Sequence, residues 1–473
     1  MLTDYYQLTM ANGYFLEGRS DREAVFDIFY RENSFNYAIV AGLEQAIDYL
    51  KNLHFEEDDI DYLRSCGDFD ERFLEHLKSF RFTGDVYAMP EGTVVFPMEP
   101  ILTVKAPLEQ AQIVETALLT IINHQTLIAT KGSRVKQVAG NTSVLEFGLR
   151  RAQGPDAGIY GARAAVLGGC DATSNVLAAK EFGIPCKGTH SHSWVMSFPD
   201  ELTAFREYAR LYPNNCLLLV DTYDTLKSGV PNAITVFKEM CEKGLEPSGI
   251  RLDSGDLSYL SKKARKMLDD AGFTNAKICV SSDLDESLIQ SLILQGAKID
   301  IWGVGTKLIT SFDMPSLGGV YKMSAIYENG VEIPKIKLSD NVIKITNPGY
   351  KSVYRIYNKD TGKAIADLIG LKDEKFPEDE ITIFHPTETW KQMTLTNYVI
   401  KDLHKEIMRH GEVVYDFPTL SAAREYCNAE KETFWEEYRR ITNPQTYKVD
   451  LSKNLYDLKT KMINDLRKVG KKA

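Results

Sequence analysis

The segments SVLEFG (143–148), IPCKGT (184–189), CLLLVDT (216–222), SGIRLD (248–253), AKICVSS (276–282) and IDIWGVG (299–305) decide the fold. Each is a short run rich in β-branched residues or leucine. Between them stand stretches of helical period: NAITVFKEMCEKG (232–244), LSYLSKKARKMLDDAG (257–272) and DESLIQSLILQGA (285–297). Strands alternating with helices at intervals of roughly 30 residues predict βα units, hence a parallel sheet or barrel. The residues that end each run carry the functional half of the reading. Glu146 and Arg150; Thr189, His190 and His192; Asp221, Thr222 and Asp224; Arg251, Asp253 and Ser254; Ser281, Ser282 and Asp283; and Gly303, Gly305 and Thr306 fall at or just past successive strand ends. In a βα barrel those ends converge on one face, which carries the chemistry. A βα turn needs only a capping residue and a glycine, so six polar ends in succession predict a site.

Outward from this core the rhythm changes. Residues 1 to about 110 mix a helical opening with short runs such as AVFDIFYR (24–31), DVYAMPEGTVVF (85–96) and ILTVKAP (101–107), which predict antiparallel strands around a helix at 38–53. A long helical stretch follows from Leu108 to about Val138. After about 325 short strands return in VEIPKIKL (331–338), KSVYRIYN (351–358) and KAIADLIGL (363–371), and helices are expected over 418–439 and 451–469. The lysine-rich end of the last helix reads as a solvated terminus whose cations favour the helix dipole.

Composition removes several classes of function. Of 473 residues, 56 are Lys or Arg and 66 are Asp or Glu, a formal charge of −10 with no basic stripe, which excludes broad binding to nucleic acid. No apolar run approaches the ~20 residues that cross a bilayer. The opening MLTDYYQLTM lacks a basic region and carries Asp4, so it does not read as a secretory signal, and a cytoplasmic protein is expected. The seven cysteines are scattered without any C-x-x-C pair and are expected as reduced core thiols.

Eight histidines are few enough to weigh one by one. His54, His76, His404 and His410 lie in charged surroundings and are expected at the surface, His124 in an apolar helix, and His385 in a loop beside Pro386. The pair His190 and His192, in GTHSHSW, differs because it follows a strand. A metal centre would need further ligands, yet no His occurs between 193 and 384 and no Cys has ligand spacing, which leaves a metal-dependent barrel hydrolase as the weaker alternative. One of the two rings as base, nucleophile or phosphate acceptor, with Asp221 as an orienting carboxylate, is the sharper reading; a histidine that merely caps a helix is the plainer one. Arg150 and Arg151 in EFGLRRAQGPDAG suit bidentate binding of a carboxylate or phosphate. RLDSGD (251–256) offers either a helix cap or anion donors with a carboxylate for Mg²⁺ or ribose hydroxyls. In GVGTKL (303–308) two glycines and Thr306 free backbone N–H groups for a phosphate. Together these ends describe an enzyme that handles a phosphorylated sugar and an anionic partner.

The motifs LTDYYQLTMANGYF (2–15), EFGLRRAQGPDAG, GTHSHSW, VDTYDT (220–225), IRLDSGDL (250–257) and GVGTKLIT (303–310), in this order, resemble those of the nicotinate phosphoribosyltransferase family. The resemblance implies an α/β fold, an irregular TIM-like α/β barrel with an additional α/β sandwich domain and C-terminal helices. It divides the chain into a sandwich segment at 1–110, a barrel core at 111–325 and a segment at 326–473 that completes the sandwich and adds helices. The implied reaction joins nicotinate and phosphoribosyl pyrophosphate into nicotinate mononucleotide, the first step of NAD synthesis from nicotinate, with Mg²⁺ and with ATP hydrolysed through a phosphohistidine. Within the resemblance His192 matches the phosphorylated residue and Asp221 the acid that holds its ring. Arg150 matches the group on the substrate carboxylate, and Tyr6 the aromatic that stacks on the pyridine from a neighbouring subunit of a homodimer. Thr189 matches a residue lining the same pocket, Arg251 and Asp253 match residues facing the ribose and pyridine, and Ser254 is a further substrate-binding position, while Gly303, Gly305 and Thr306 correspond to the loop around the 5-phosphate. The family usually carries a small residue where this chain has His190. Within the same class a nicotinamide phosphoribosyltransferase is the alternative, and a silent nucleotide-binding barrel stands outside it.

Overall fold

Leucine and β-branched runs separated by amphipathic helices fold here as a six-stranded parallel sheet in a computed structural model that describes residues 1–31, 34–341 and 344–469. The strands lie in the spatial order Ala172–Thr173, Ser143–Glu146, Ile301–Val304, Lys277–Ser282, Gly249–Leu252 and Leu217–Leu219, each neighbour parallel to the next. This is a curled half-barrel. Its strands are buried on both faces, with Val144, Trp302, Val280, Ile250 and Leu218 on one and Cys279, Ser281, Leu217 and Leu219 on the other, which is why they read as nearly continuous apolar runs with no alternation. Aspartates start the connecting helices: Asp200 caps Glu201–Leu211 through Thr203 N, Asp256 caps Leu257–Asp270 through Tyr259 N, and Asp285 caps Glu286–Leu294 through Leu288 N. The helix Val230–Glu242 is entered through a π turn, Thr225–Gly229, where Gly229 packs so closely on the Val220 backbone that a Cβ would stand 2.7 Å from its carbonyl carbon.

One expected strand is different. IPCKGT (184–189) forms no strand and makes a single bridge, Cys186 to Thr173, and the ladder at that edge belongs to the two-residue strand Ala172–Thr173. Pro185 and Gly188 in the run weaken it as a strand.

Residues 128–315 form this compact unit, and residues 1–127 with 316–473 form another. The second unit holds two large sheets. One is antiparallel, in the order 331–334, 319–328, 23–30, 102–107, 85–88, 405–409 and 412–413. Its long strand Gly319–Glu328 pairs with Glu23–Tyr30, so the beginning of the chain and a segment near its last third share one sheet. The other sheet runs 392–396, 380–384, 449–451, 364–371, 351–358 and 398–402, and is antiparallel except where Ala364–Leu371 lies parallel to Val449–Leu451. A buried ion pair, Lys351 Nζ to Asp27 Oδ2 at 2.8 Å, joins the two sheets. Arg355, fully buried, is bidentate to Asp367 at 2.8 and 2.6 Å, meets Glu430 at 2.6 Å and donates to the Val94 carbonyl.

The helices expected at the end of the chain are Leu420–Thr433, Glu436–Arg439 and Lys453–Val469. Arg467 and Lys468 occupy the last turn, whereas Lys471 and Lys472 lie outside the described residues. His404, expected at the surface, is buried and its Nε2 stands 2.7 Å from the Pro100 carbonyl. The seven cysteines form no disulfide, and Cys170, Cys216, Cys279 and Cys427 are core thiols, but Cys186 and Cys241 are exposed. Among the described residues no helix is long and apolar enough to cross a membrane.

Candidate active site

The parallel sheet brings the ends of its strands together, and Arg251 is the residue that joins them. It is the last-but-one residue of Gly249–Leu252, and its guanidinium sends one bond to each of three chain segments. Nε donates to Ser281 Oγ at 2.8 Å, Nη1 to Thr189 Oγ1 at 3.1 Å and Nη2 to Asp253 Oδ1 at 3.0 Å. The planar fork is suited to this, since its donors diverge in fixed directions. The group also sits 5.6 Å from the centre of the Phe147 ring, within cation–π range. Ser281 in turn donates to Asp253 Oδ1. Burial pushes the Asp253 carboxyl up, but the Ser281 hydroxyl, Arg251 and His192 together hold it below the usual carboxylate range.

The two histidines of GTHSHSW part company. His190 is 7% exposed, accepts the Leu219 backbone N–H at Nε2 (3.2 Å), turns Nδ1 to the Ser191 carbonyl and packs edge-on against Tyr208. Burial lowers its pKa to about 4. With one nitrogen accepting and the other donating, this ring is a neutral structural element of the core. His192 opens the short helix His192–Met196 and is partly exposed; its Nδ1 is 3.1 Å from Thr222 Oγ1 and its Nε2 is 4.0 Å from Asp253 Oδ2. The helical turn that begins at His192 is what separates two side chains that a strand would have set on one face.

Asp221 does not hold the His192 ring. Its Oδ2 accepts from Asp253 N at 2.8 Å and Ser254 Oγ at 2.7 Å, which fixes the loop after Arg251, while its Oδ1 is buried with no hydrogen-bond partner. Thr222, one residue on, makes the contact with the imidazole instead. Glu146 is buried, accepts from Thr173 Oγ1 at 2.6 Å and from Gly148 N, and burial raises its pKa against both bonds. Arg150 and Arg151 stand exposed on the 3₁₀ turn Leu149–Arg151. Gly303, next to last in the strand Ile301–Val304, lies against Phe147, where a Cβ would come within 2.7 Å of the ring, and Gly305 leads into a single turn, Thr306–Ile309. Beside that turn Lys307 Nζ pairs with Asp285 Oδ2 at 2.6 Å. Tyr6 belongs to the other unit, on the helix Tyr5–Leu16, with Tyr5, Tyr6 and Met10 exposed.

Behind the strand ends lies a charge network the motifs did not reveal. Lys131, buried on the helix Glu115–Ala139, meets Glu286 at 2.7 Å and Asp313 at 2.6 Å, and Arg134 Nε meets Glu286 at 2.8 Å. The sequence signal was three cations, Lys131, Arg134 and Lys136, closing a helical stretch whose earlier part is apolar. Among the described residues no three His, Cys, Asp or Glu side chains gather as a metal cage.

A parallel α/β half-barrel with an imidazole, two aspartates, an arginine and a glycine turn at the carboxyl ends of its strands is the site of an α/β-barrel enzyme. Profiles of the nicotinate phosphoribosyltransferase N-terminal domain, family and C-terminal domain match residues 1–123, 142–367 and 350–459. A Bacillus subtilis protein named nicotinate phosphoribosyltransferase is 50% identical over 468 residues, covering 98% of this chain and 95% of its own, and a human protein of that name is 32% identical, covering 97% and 95%. The crystal structure of human nicotinic acid phosphoribosyltransferase superposes with a TM-score of 0.87 at 30% identity, over 98% of this chain and all of that one. The chain belongs to the nicotinate phosphoribosyltransferase family. A nicotinate-nucleotide pyrophosphorylase from Pyrococcus furiosus shares the fold, with a TM-score of 0.69 at 24% identity over 91% of this chain and 95% of that one.

Proposed function

We propose that this protein is an ATP-coupled nicotinate phosphoribosyltransferase that opens NAD synthesis from nicotinate. The observation that carries the reading is the end-to-end likeness to proteins of that name, supported by a half-barrel whose strand ends join Arg251, Ser281, Thr189 and Asp253 in one network. The pyridine nitrogen of nicotinate attacks C1 of the ribose, the C1–O bond to pyrophosphate breaks, and nicotinate mononucleotide and pyrophosphate leave. The ribosyl centre is cationic as that bond opens, so the protein's task is to position the partners and stabilise developing charge. Arg251, held at three points, keeps Asp253 and Thr189 fixed at the mouth, and Asp253 and Ser254 face the ribose. Arg150 receives the nicotinate carboxylate. Its exposure and freedom on a 3₁₀ turn suit a group that closes on substrate. Gly303, Gly305 and Thr306 take the 5-phosphate through backbone N–H groups.

His192 is the phosphate acceptor: a ring nitrogen attacks the γ-phosphorus of ATP, ADP leaves, and water later cleaves the phosphoramidate to phosphate and free imidazole. Of the two histidines it alone is reachable, because both nitrogens of His190 are spent inside the core. Thr222 orients the His192 ring, and Asp253 neutralises it when charged. Asp221 acts one step back, as the residue that sets the Asp253–Ser254 loop. Mg²⁺ bound with the substrate phosphates would neutralise the leaving pyrophosphate; Asp221, with its orphaned buried oxygen, and Asp253 are the carboxylates suited to hold it. The enzyme is cytoplasmic and works as a homodimer in which the exposed Tyr6 stacks on the pyridine in the partner's site.

The test is product formation from nicotinate, phosphoribosyl pyrophosphate and Mg²⁺, with and without ATP, and with nicotinamide competing. Nicotinate mononucleotide formed in preference to the amide product, at a rate raised by ATP, is the expected result. Preference for nicotinamide would reverse the assignment of Arg150 to a carboxylate.

A further inference from the structure

The unit that does not contain the half-barrel holds a cavity of about 760 Å³, open on one side to solvent and within the range of small-molecule sites. Every residue lining it among those described belongs to that unit, and none is a strand-end residue of the half-barrel. Its walls are aromatic and aliphatic, with Trp435, Tyr438, Phe96 and Met393 among them. Two buried charges interrupt this apolar surface.

The first is Asp450, on the strand Val449–Leu451. It is 1% exposed, and neither carboxylate oxygen accepts a hydrogen bond. Lys448 Nζ stands 3.6 Å from Oδ2. A carboxylate hidden from water with an ammonium nearby but no hydrogen bond to either oxygen is costly unless something donates to it. Burial raises its pKa against the pull of Lys448 and His385. The second charge is Lys459, 4% exposed, whose ammonium has three donors and makes one bond, to Asn347 Oδ1 at 2.9 Å. Burial and the neighbouring Lys351 lower its pKa to about 8. His385, also on the lining, accepts the Glu388 backbone N–H at Nδ1 (3.0 Å), which leaves the proton on Nε2. Lys391, Lys448 and Lys459 line the cavity with Asp450; Lys391 is paired with Glu388 and Lys448 stands beside Asp450, so Lys459 is the one with donors to spare.

A lysine-lined pocket with one buried acceptor pair and the spare donors of Lys459 suits an anion that carries its own N–H donors, and the flat aromatic walls suit a planar ring. We propose that this cavity is a second ligand site, for a purine nucleotide of the guanine type, with the base edge on Asp450 and the phosphate toward the lysines. Guanine presents two parallel N–H donors on one edge, which match the two open oxygens of a carboxylate as a guanidinium does. Adenine offers donors from one nitrogen only. The site is independent of the transfer reaction, and its failure would leave that reaction untouched.

Titration calorimetry of the full chain with guanosine monophosphate, adenosine monophosphate and inorganic phosphate tests this. Guanosine monophosphate is expected to bind once per chain, at least tenfold more tightly than the other two. Asp450→Asn, which keeps the shape but turns one acceptor into a donor, should weaken it at least tenfold. Ile365→Trp, which fills the cavity from a half-buried wall position, should abolish the binding while nicotinate turnover continues. No heat with guanosine monophosphate up to millimolar concentration, equal binding of adenosine monophosphate or phosphate, or affinity unchanged in Ile365→Trp would each overturn the proposal.

Discussion

Replacing Arg251 with lysine keeps the charge and removes the fork. The guanidinium spans Ser281, Thr189 and Asp253 from three separate nitrogens at 2.8, 3.1 and 3.0 Å. An ammonium at the end of a shorter reach retains one of these partners, Asp253, and loses the other two. Neither lost partner is stranded, since Thr189 Oγ1 still donates to the His190 carbonyl and Ser281 Oγ to Asp253. The cost is therefore that of two bonds from a charged donor with no orphan penalty, about 3 kcal/mol at the lower end of their range. At about 2–4 °C per kcal/mol for a unit of this size, melting should fall by about 6–12 °C. Scanning calorimetry of Arg251→Lys, Ser281→Ala and the double variant separates this geometry from a general surface effect. The cycle should show a coupling of about 1 kcal/mol between the two positions. A melting shift below 2 °C, or additive single effects, would refute the view that Arg251 ties the strand ends together.

Three other outcomes follow from the structure. His190 has a folded pKa of about 4 against 6.5 for a free ring, so its contribution is present above pH 6.5 and is lost as pH falls toward 4; linkage puts the loss at about 2 kcal/mol by pH 5. Urea unfolding at pH 7 and pH 5 should show that drop in the native protein and a shallower one in His190→Gln. In the other unit, Arg355→Met leaves Asp367 and Glu430 buried without their cation and should cost about 3–5 kcal/mol in denaturant unfolding. Gly303→Ala drives a methyl to 2.7 Å from the Phe147 ring and should cost about 1–3 kcal/mol, with a rise in KM for phosphoribosyl pyrophosphate if the displaced turn is the 5-phosphate loop.

The half-barrel was legible because its strands are buried on both sides and its helices are amphipathic, two patterns that rarely coincide by accident. Five of the six expected runs contain the strands found. The sixth failed because Ala172–Thr173 is too short to show any period, whereas the longer IPCKGT run has strand-like composition but makes a single bridge. The long strand Gly319–Glu328 was equally hard to place, since its partner lies some three hundred residues earlier and no local pattern encodes that pairing. At the site, the types and order of the strand-end residues were readable, but their wiring was not. That Thr222 and not Asp221 meets His192, and that Asp221 instead holds the Asp253–Ser254 loop, depends on side-chain directions at the end of a three-residue strand. The cavity around Asp450 had no signature, because its lining is gathered from distant positions and a single acid in KVDLS looks like any other.

The claim that most depends on this geometry is that His192, and not its neighbour two residues earlier, receives phosphate from ATP. Incubation with γ-labelled ATP followed by peptide mapping tests it directly. The expected result is an acid-labile label on the peptide holding His192, absent from His192→Ala and retained in His190→Gln. Label persisting in His192→Ala, or ATP hydrolysis still in step with nicotinate mononucleotide formation in that variant, would contradict it.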